Sequence, residues 1–262
     1  MTTNPYTYTH ALDSRIRLLA ALALAMVAAI TATAQSERKV FLPGRRAVIF
    51  DERLSALRAQ PDIKARLKQR MRRGRRVGIL GAAVAKDGAK FFHVAVSRNT
   101  SGWVLADAVI RPGADADAER LMRSIEDTKD EFAKARLARL CADEFRATNF
   151  APKALMILGG AAEGEAAKLS RDAKRRVGDG DSDAGPDTEP NAGPNARLTR
   201  RDFMLNYAGL DRYNRIGVTF DYDAASDRIV YDGAAYRELL RRYPRSAEAK
   251  TAGERLGRLK PR

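Results

Sequence analysis

The chain has 262 residues, 48 Lys/Arg against 33 Asp/Glu, a net charge of +15, one cysteine and two histidines. A single cysteine, Cys141, excludes an intramolecular disulfide. Two histidines, His10 and His93, leave too few imidazoles for a His-based triad or for the two or three His ligands of a zinc hydrolase.

The first segment has three parts in order: Arg15 and Arg17, an uncharged apolar run from Leu18 to Ile30, then Ala32-Thr33-Ala34 before Gln35. A basic start, an apolar centre and a small-residue site predict an export signal over 1–34, cleaved after Ala34. The alternative is an uncleaved N-terminal helix acting as an anchor, since Leu18–Ala34 lies at the short edge of the roughly 17–25 residues that span a bilayer. No cysteine lies near the site, so no lipid-modified N-terminus is expected. The expected location is periplasmic or secreted, with no transmembrane span after cleavage and a soluble remainder.

Charge then divides the chain. Residues 35–111 hold 18 Lys/Arg and 6 Asp/Glu, whereas 112–262 hold 28 and 26. Lys64, Arg66, Lys68, Arg70, Arg72, Arg73, Arg75 and Arg76 fall in one short run and are the candidate anion-binding residues. The same run also reads as a solvated, Arg-rich loop. Around it stand short apolar or aromatic stretches: Ala47–Phe50, Val77 with Ile79 and Leu80, Phe91–Val96 after Asp87-Gly88, and Trp103–Leu105 after the turn at 99–102. Such runs, punctuated by Gly and Asp, predict successive strands of a small β-barrel over 35–112. Phe91, Phe92 and Trp103 are expected to fill it. His93 is expected on its surface or in its core.

Five segments in this stretch resemble a bacterial SH3-type domain. They are Leu57-Arg58-Ala59-Gln60-Pro61, then Arg73-Gly74-Arg75-Arg76-Val77-Gly78-Ile79-Leu80, Phe92-His93-Val94, Gly102-Trp103-Val104 and Asp107-Ala108-Val109. The resemblance covers about a fifth of the chain and implies an SH3-like fold without naming a ligand. Phe92 stands where tryptophan is usual, and Ala65–Arg76 is more basic than the family pattern.

From Asp117 the apolar period lengthens to that of a helix. Leu121, Met122 and Ile125 mark one helix, and Leu137, Leu140, Cys141 and Phe145 a second. Leu155, Leu158, Ala162, Ala166, Leu169, Ala173 and Val177 mark a third. Residues 113–177 thus form the first helical part. The stretch 178–197, dense in Asp, Gly, Pro and Asn, is expected to be a disordered linker. Within 198–262, Val218, Phe220 and Tyr222 alternate, as do Ile229 and Tyr231, predicting a hairpin turned by Ala224–Asp227. Two helices follow, one bearing Tyr236, Leu239, Leu240 and Tyr243, the other capped by Ser246 and bearing Ala249, Ala252, Leu256 and Leu259.

The stretch Tyr236–Ala249, with its Tyr243-Pro244-Arg245-Ser246 step, resembles the joint between repeats of tetratricopeptide-like envelope proteins. Phe145–Ala154 resembles the same joint in degraded form, with Asn149-Phe150-Ala151 where Pro-x-Ser would sit. Ala154–Gly159 resembles a first repeat helix, its Gly159 permitting close approach of a partner. The resemblance implies at most two repeats and a groove for a protein partner.

The expected fold is therefore α+β and multidomain: an SH3-like β-barrel, then an α-helical tetratricopeptide-like domain with a β-hairpin insertion. Cys141 sits on an apolar helical face and reads as a structural thiol. Asp221, Asp223 and Asp227 lack the ligand order and Gly of a calcium loop and read as a hairpin turn. Asp179, Asp181 and Asp183 read as linker polarity. Gly159-Gly160 lies mid-helix with no preceding strand and is no phosphate cradle. No catalytic residue, metal or cofactor is expected. The expected partners are an anionic wall or membrane component at the basic run, such as peptidoglycan carboxylates, lipopolysaccharide phosphates or head groups, and a protein at the helices. Export would take nucleic acid out of reach. The remaining readings are a structural accessory with no ligand, and a wall-active enzyme.

Overall fold

The computed structural model describes residues 44–178, 200–205 and 210–259, with side chains at 176–178, 200, 202 and 203 left aside. The export segment and, apart from Gly178, the 178–197 linker with Asp179, Asp181 and Asp183 lie outside the described residues. Seven strands come first: β1 (Arg45–Ile49), β2 (Ala56–Arg58), β3 (Leu67–Arg70), β4 (Arg76–Val84), β5 (Lys90–Ala95), β6 (Ser101–Leu105) and β7 (Val109–Ile110). Three helices follow: α1 (Asp115–Glu126), α2 (Glu131–Glu144) and the long α3 (Phe150–Gly178). Two short helices, α4 (Arg200–Leu205) and α5 (Leu210–Asn214), lead into the hairpin β8 (Phe220–Asp223) and β9 (Arg228–Tyr231). Helices α6 (Ala234–Arg242) and α7 (Glu248–Leu259) complete a mixed α and β architecture.

The sheet is antiparallel, in the order β3-β2-β6-β5-β4-β1-β7. A bulge between Ile79 and Gly81 bends β4, which serves β1 with its first half and β5 along its length from Gly78. The sheet curls over one core that includes Ala47, Ile49, Leu57, Val77, Val94, Val104 and Val109. It does not close into the expected barrel, because its end strands β3 and β7 do not pair. The reason lies in β7, which is two residues long. The next amide, Arg111 N, donates to Asp117 Oδ2 at 2.9 Å instead of to a strand, turning the chain into α1.

The apolar run Ala47–Phe50 has both faces covered. Ala47 and Ile49 enter the sheet core, while Val48 and Phe50 enter the helical core with Ile110. That is why it reads as continuous apolar sequence with no polar alternation. Gly102 is explained by packing: a Cβ there would lie 2.6 Å from Arg58 O and 2.9 Å from Leu57 Cγ. Arg120 and Asp117 reinforce the seam between sheet and helices. Arg120 donates to Ala106 O and Val109 O and lies over the Phe50 ring at 5.3 Å. Asp117, 5% exposed, accepts from Arg111 Nε at 2.7 Å and from Arg120 at 3.2 Å.

Helices α1, α2, α3, α6 and α7 form where the 3.6-residue period places them, and the hairpin forms as expected, whereas α4 and α5 have no counterpart in the sequence reading. The two helix joints are built alike. At the first, Phe145 N donates to Cys141 O, Thr148 N to Phe145 O and Ala151 N to Thr148 O. At the second, Tyr243 N donates to Leu239 O, Ser246 N to Tyr243 O and Ala249 N to Ser246 O. Tyr243 Oη reaches across to Arg146 O at 2.8 Å, so the second joint docks on the first. Ser246 departs from expectation. Its carbonyl takes the Ala249 amide, while its buried Oγ has no partner among the described residues, so the side chain caps nothing.

Helix α3 is the common support. Gly159 lets Tyr236 of α6 lie directly on it, since a Cβ there would sit 2.2 Å from Tyr236 Cε1. Tyr236 Oη then donates to Glu163 at 2.7 Å, and Tyr213 Oη to Glu165 at 2.6 Å. Gly159→Ala should cost about 2 kcal/mol of stability despite its better helix propensity, because the ring has no room to yield. Urea unfolding followed through Trp103 fluorescence measures it, and an unchanged midpoint would refute the packing account.

The same tyrosines predict a pH limit. Burial pushes the phenols of Tyr213, Tyr231 and Tyr236 above their ordinary value of 10.0, and Glu165 and Glu163 reinforce it at Tyr213 and Tyr236. An acid whose folded pKa is raised stabilises the fold fully below its unfolded pKa and loses that contribution as pH climbs through the folded one. The urea midpoint should therefore not respond to these phenols up to about pH 9 and should fall above about pH 10. Tyr213→Phe should make the alkaline fall shallower while lowering stability at pH 7, since buried Glu165 loses a donor.

Candidate anion-docking surface

Strand β3 is an edge of the sheet, and all four of its residues are exposed. The loop before it is built on Asp62, whose Oδ1 accepts Lys64 N at 2.7 Å and whose carbonyl accepts Ala65 N at 3.1 Å. Arg58 Nη1 ties the loop back through Ala65 O at 2.8 Å, and Ala59 N reaches Arg66 O at 3.0 Å. Residues 63 and 64 are thus held outward by a defined backbone.

The eight basic residues separate into two sets. Lys64, Arg66, Arg70 and Arg72 are exposed, and their side chains bond to no described residue. The other four are tied down. Lys68 Nζ donates to Ser101 O at 2.7 Å, and Arg75 Nη2 donates to Val96 O at 2.9 Å. Arg76 Nε lies 3.9 Å from Glu144 Oε1, a carboxylate 5% exposed that also holds Arg46 at 2.5 Å. Arg73 is half-buried. Its Nε donates to Phe50 O and its amide to Glu52 Oε1, each at 2.8 Å. Burial, and after it the nearby Arg136 cation, lowers the Arg73 pKa. Half of the run's side chains are therefore left without a partner among the described residues, while Lys68 and Arg75 are positioned by carbonyl bonds that leave their charge in place.

Arg73 also borders a cavity of about 410 Å³ between sheet and helices, lined by Phe50, Asp51, Glu52, Arg53, Ser124, Asp127, Thr128 and Leu137. Most of its charges pair with one another. Arg53 donates to both Asp51 oxygens, and Arg136 lies 3.5 Å from Glu52. Burial pushes the Asp51 carboxyl up, but the Arg53 hydrogen bonds outweigh it and hold the pKa below the usual range. What remains is a polar, self-compensated cleft.

The outer face of the sheet carries a feature the sequence did not disclose. Val104 faces the core, so half-exposed Trp103 points the other way and stacks on His93, with centroids 4.9 Å apart. Phe92 packs against the core as expected, but Trp103 does not fill it, and Phe91, though buried, alternates with Phe92 and is not part of that core. Across the strands the pairs Leu67–Arg58, Arg58–Trp103, Trp103–His93 and His93–Gly81 form one continuous row. Alternation at Trp103-Val104 could have indicated this, given the register.

The remaining candidates take structural places. Asp223 accepts Ala225 N and Ser226 Oγ, Asp221 pairs with Arg201 at 2.9 Å, and Asp227 with Lys174 at 3.5 Å. No group of three or more His, Cys, Asp or Glu among the described residues could hold a metal ion. No described helix is long and apolar enough to cross a membrane. Cys141 is buried with its Sγ 3.8 Å from Met122 Sδ, and burial pushes its thiol up to about 12. Native protein at pH 8 should react with iodoacetamide at least about 100-fold more slowly than urea-unfolded protein, because thiolate and access are both withdrawn. Comparable rates would show the helix face to be open. No protein-family model matches this chain, and no curated protein or solved structure is similar enough to count as a match.

Proposed function

We propose that the chain is an exported, non-enzymatic binding or scaffold protein of the bacterial cell envelope, whose basic sheet docks on an anionic wall or membrane component. The observation that carries this reading is the set Lys64, Arg66, Arg70 and Arg72, four exposed cations with no counter-charge among the described residues. Unpaired like charges this close repel one another and favour an anionic partner. Residues 57–109 are read as an SH3-type domain left open at its β3 and β7 ends, on the strength of the Gly102-Trp103-Val104 step. Reading residues 1–34 as an export signal supports a location among extracytoplasmic polyanions. The two matching helix joints support a pair of tetratricopeptide-like repeats that hold a protein partner.

The test is retention of the chain from Gln35, which keeps every described residue, on purified cell-wall sacculi and on anionic vesicles at low and high salt. Binding should appear at low salt and fall as screening shortens the reach of the charges. Replacing Lys64, Arg66, Arg70 and Arg72 together by Gln should abolish it while leaving the urea midpoint within about 0.5 kcal/mol. No salt-sensitive retention on either surface removes the docking function.

A second reading, a structural accessory without a ligand, is favoured by one observation. Val48, Phe50 and Ile110 of the sheet belong to the helical core, as a module serving its own helices would require. Absence of retention together with a monomer that crosslinks to nothing would favour it.

A further inference from the structure

Four large hydrophobic side chains are exposed among the described residues: Ile63 at 46%, Leu67 at 45%, Leu80 at 44% and Val84 at 65%. Single exposed apolar residues are ordinary. Ile63 and Leu67 are different because they interleave with the free cations, in the order Ile63, Lys64, Arg66, Leu67, Arg70, Arg72. They are also held in place: Asp62 and Arg58 fix the loop, and Leu67 is paired with Arg58 in the sheet. The patch is a rigid edge that offers aliphatic and cationic groups together.

From this we infer that the β2–β3 loop and strand β3 form a membrane-docking edge. Ile63 and Leu67 enter the head-group and acyl boundary of an anionic bilayer, and Lys64, Arg66, Arg70 and Arg72 engage its phosphates. The inference rests on the anion-docking reading above and names its partner. A wall polymer or a nucleic acid would satisfy the cations but would leave both aliphatic side chains in water. A bilayer satisfies both, since interfacial binding combines buried apolar area with attraction to anionic lipid. Cations flanking an exposed edge are also what keeps strands from pairing with other chains, and that role explains the charges but not the two aliphatic side chains among them.

The protein carries its own reporter. Trp103, the single tryptophan, stands in the same cross-strand row as Leu67, two strands away, or about 10 Å. The chain from Gln35 is mixed with vesicles of phosphatidylcholine alone or with phosphatidylglycerol added, and with sacculi in parallel. It should sediment with the phosphatidylglycerol vesicles and ignore the neutral ones. Bromine-labelled acyl chains should quench Trp103. The double variant Ile63→Ser/Leu67→Ser should weaken vesicle binding about tenfold, lose the fraction that resists high salt, and bind sacculi as the parent does. An unchanged urea midpoint shows that the variant is folded. Vesicle binding equal to the parent's would leave the docking by charge and overturn the insertion. Retention of the parent on sacculi with none on anionic vesicles would overturn the membrane assignment while the broader reading stands. Binding to neither surface sinks both.

Discussion

Asp117 is a nearly buried carboxylate at the point where the chain leaves the sheet for the helices. It takes the Arg111 amide and guanidinium on one side and Arg120 on the other, and Arg120 in turn holds two carbonyls of the last sheet segment. A carboxylate removed from water is tolerable only when its oxygens are bonded this fully. The arrangement ends β7 early, leaves the sheet unclosed and fixes α1 beneath Phe50. Because β1 feeds alternate side chains to two cores, the sheet cannot shift on the helices without emptying one of them.

With the sheet anchored along β1 and β7, its opposite edge is left outermost. β3 lies at the far end of the strand order, and every residue in it is exposed. Half the basic run is held by internal carbonyls and by Glu144, so only half of its side chains are left without a partner among the described residues. Position in the sheet, more than abundance of arginine, decides which of these side chains are held.

The helical half was legible because its signals are local. Apolar residues at steps of three and four placed α1, α2 and α3, and the close approach at Gly159 was expected from the likeness of Ala154–Gly159 to a repeat helix. Alternation placed β8 and β9. The sheet was legible only in part. β2 and β3 have three and four residues, and Leu67-Lys68-Gln69-Arg70 buries nothing, so no period marks it as a strand. Closure depends on whether strands far apart in sequence meet, which no local pattern encodes. The sorting of the cations likewise depends on partners such as Ser101, Val96 and Glu144 that lie well away along the chain. Ser246 shows the converse failure: a favoured capping residue stands at the right place, yet its backbone does the work.

Tyr236 and Gly159 sit in different halves of the helical region, yet neither is free to drift alone. A ring pressed on a backbone with no Cβ beneath it makes the two positions a single inherited unit. Descendants that acquire a side chain at Gly159 must give up the aromatic at Tyr236, and with it the bond to Glu163. Correlated change at this pair, across whatever relatives the chain has, is the evolutionary signature that this contact imposes.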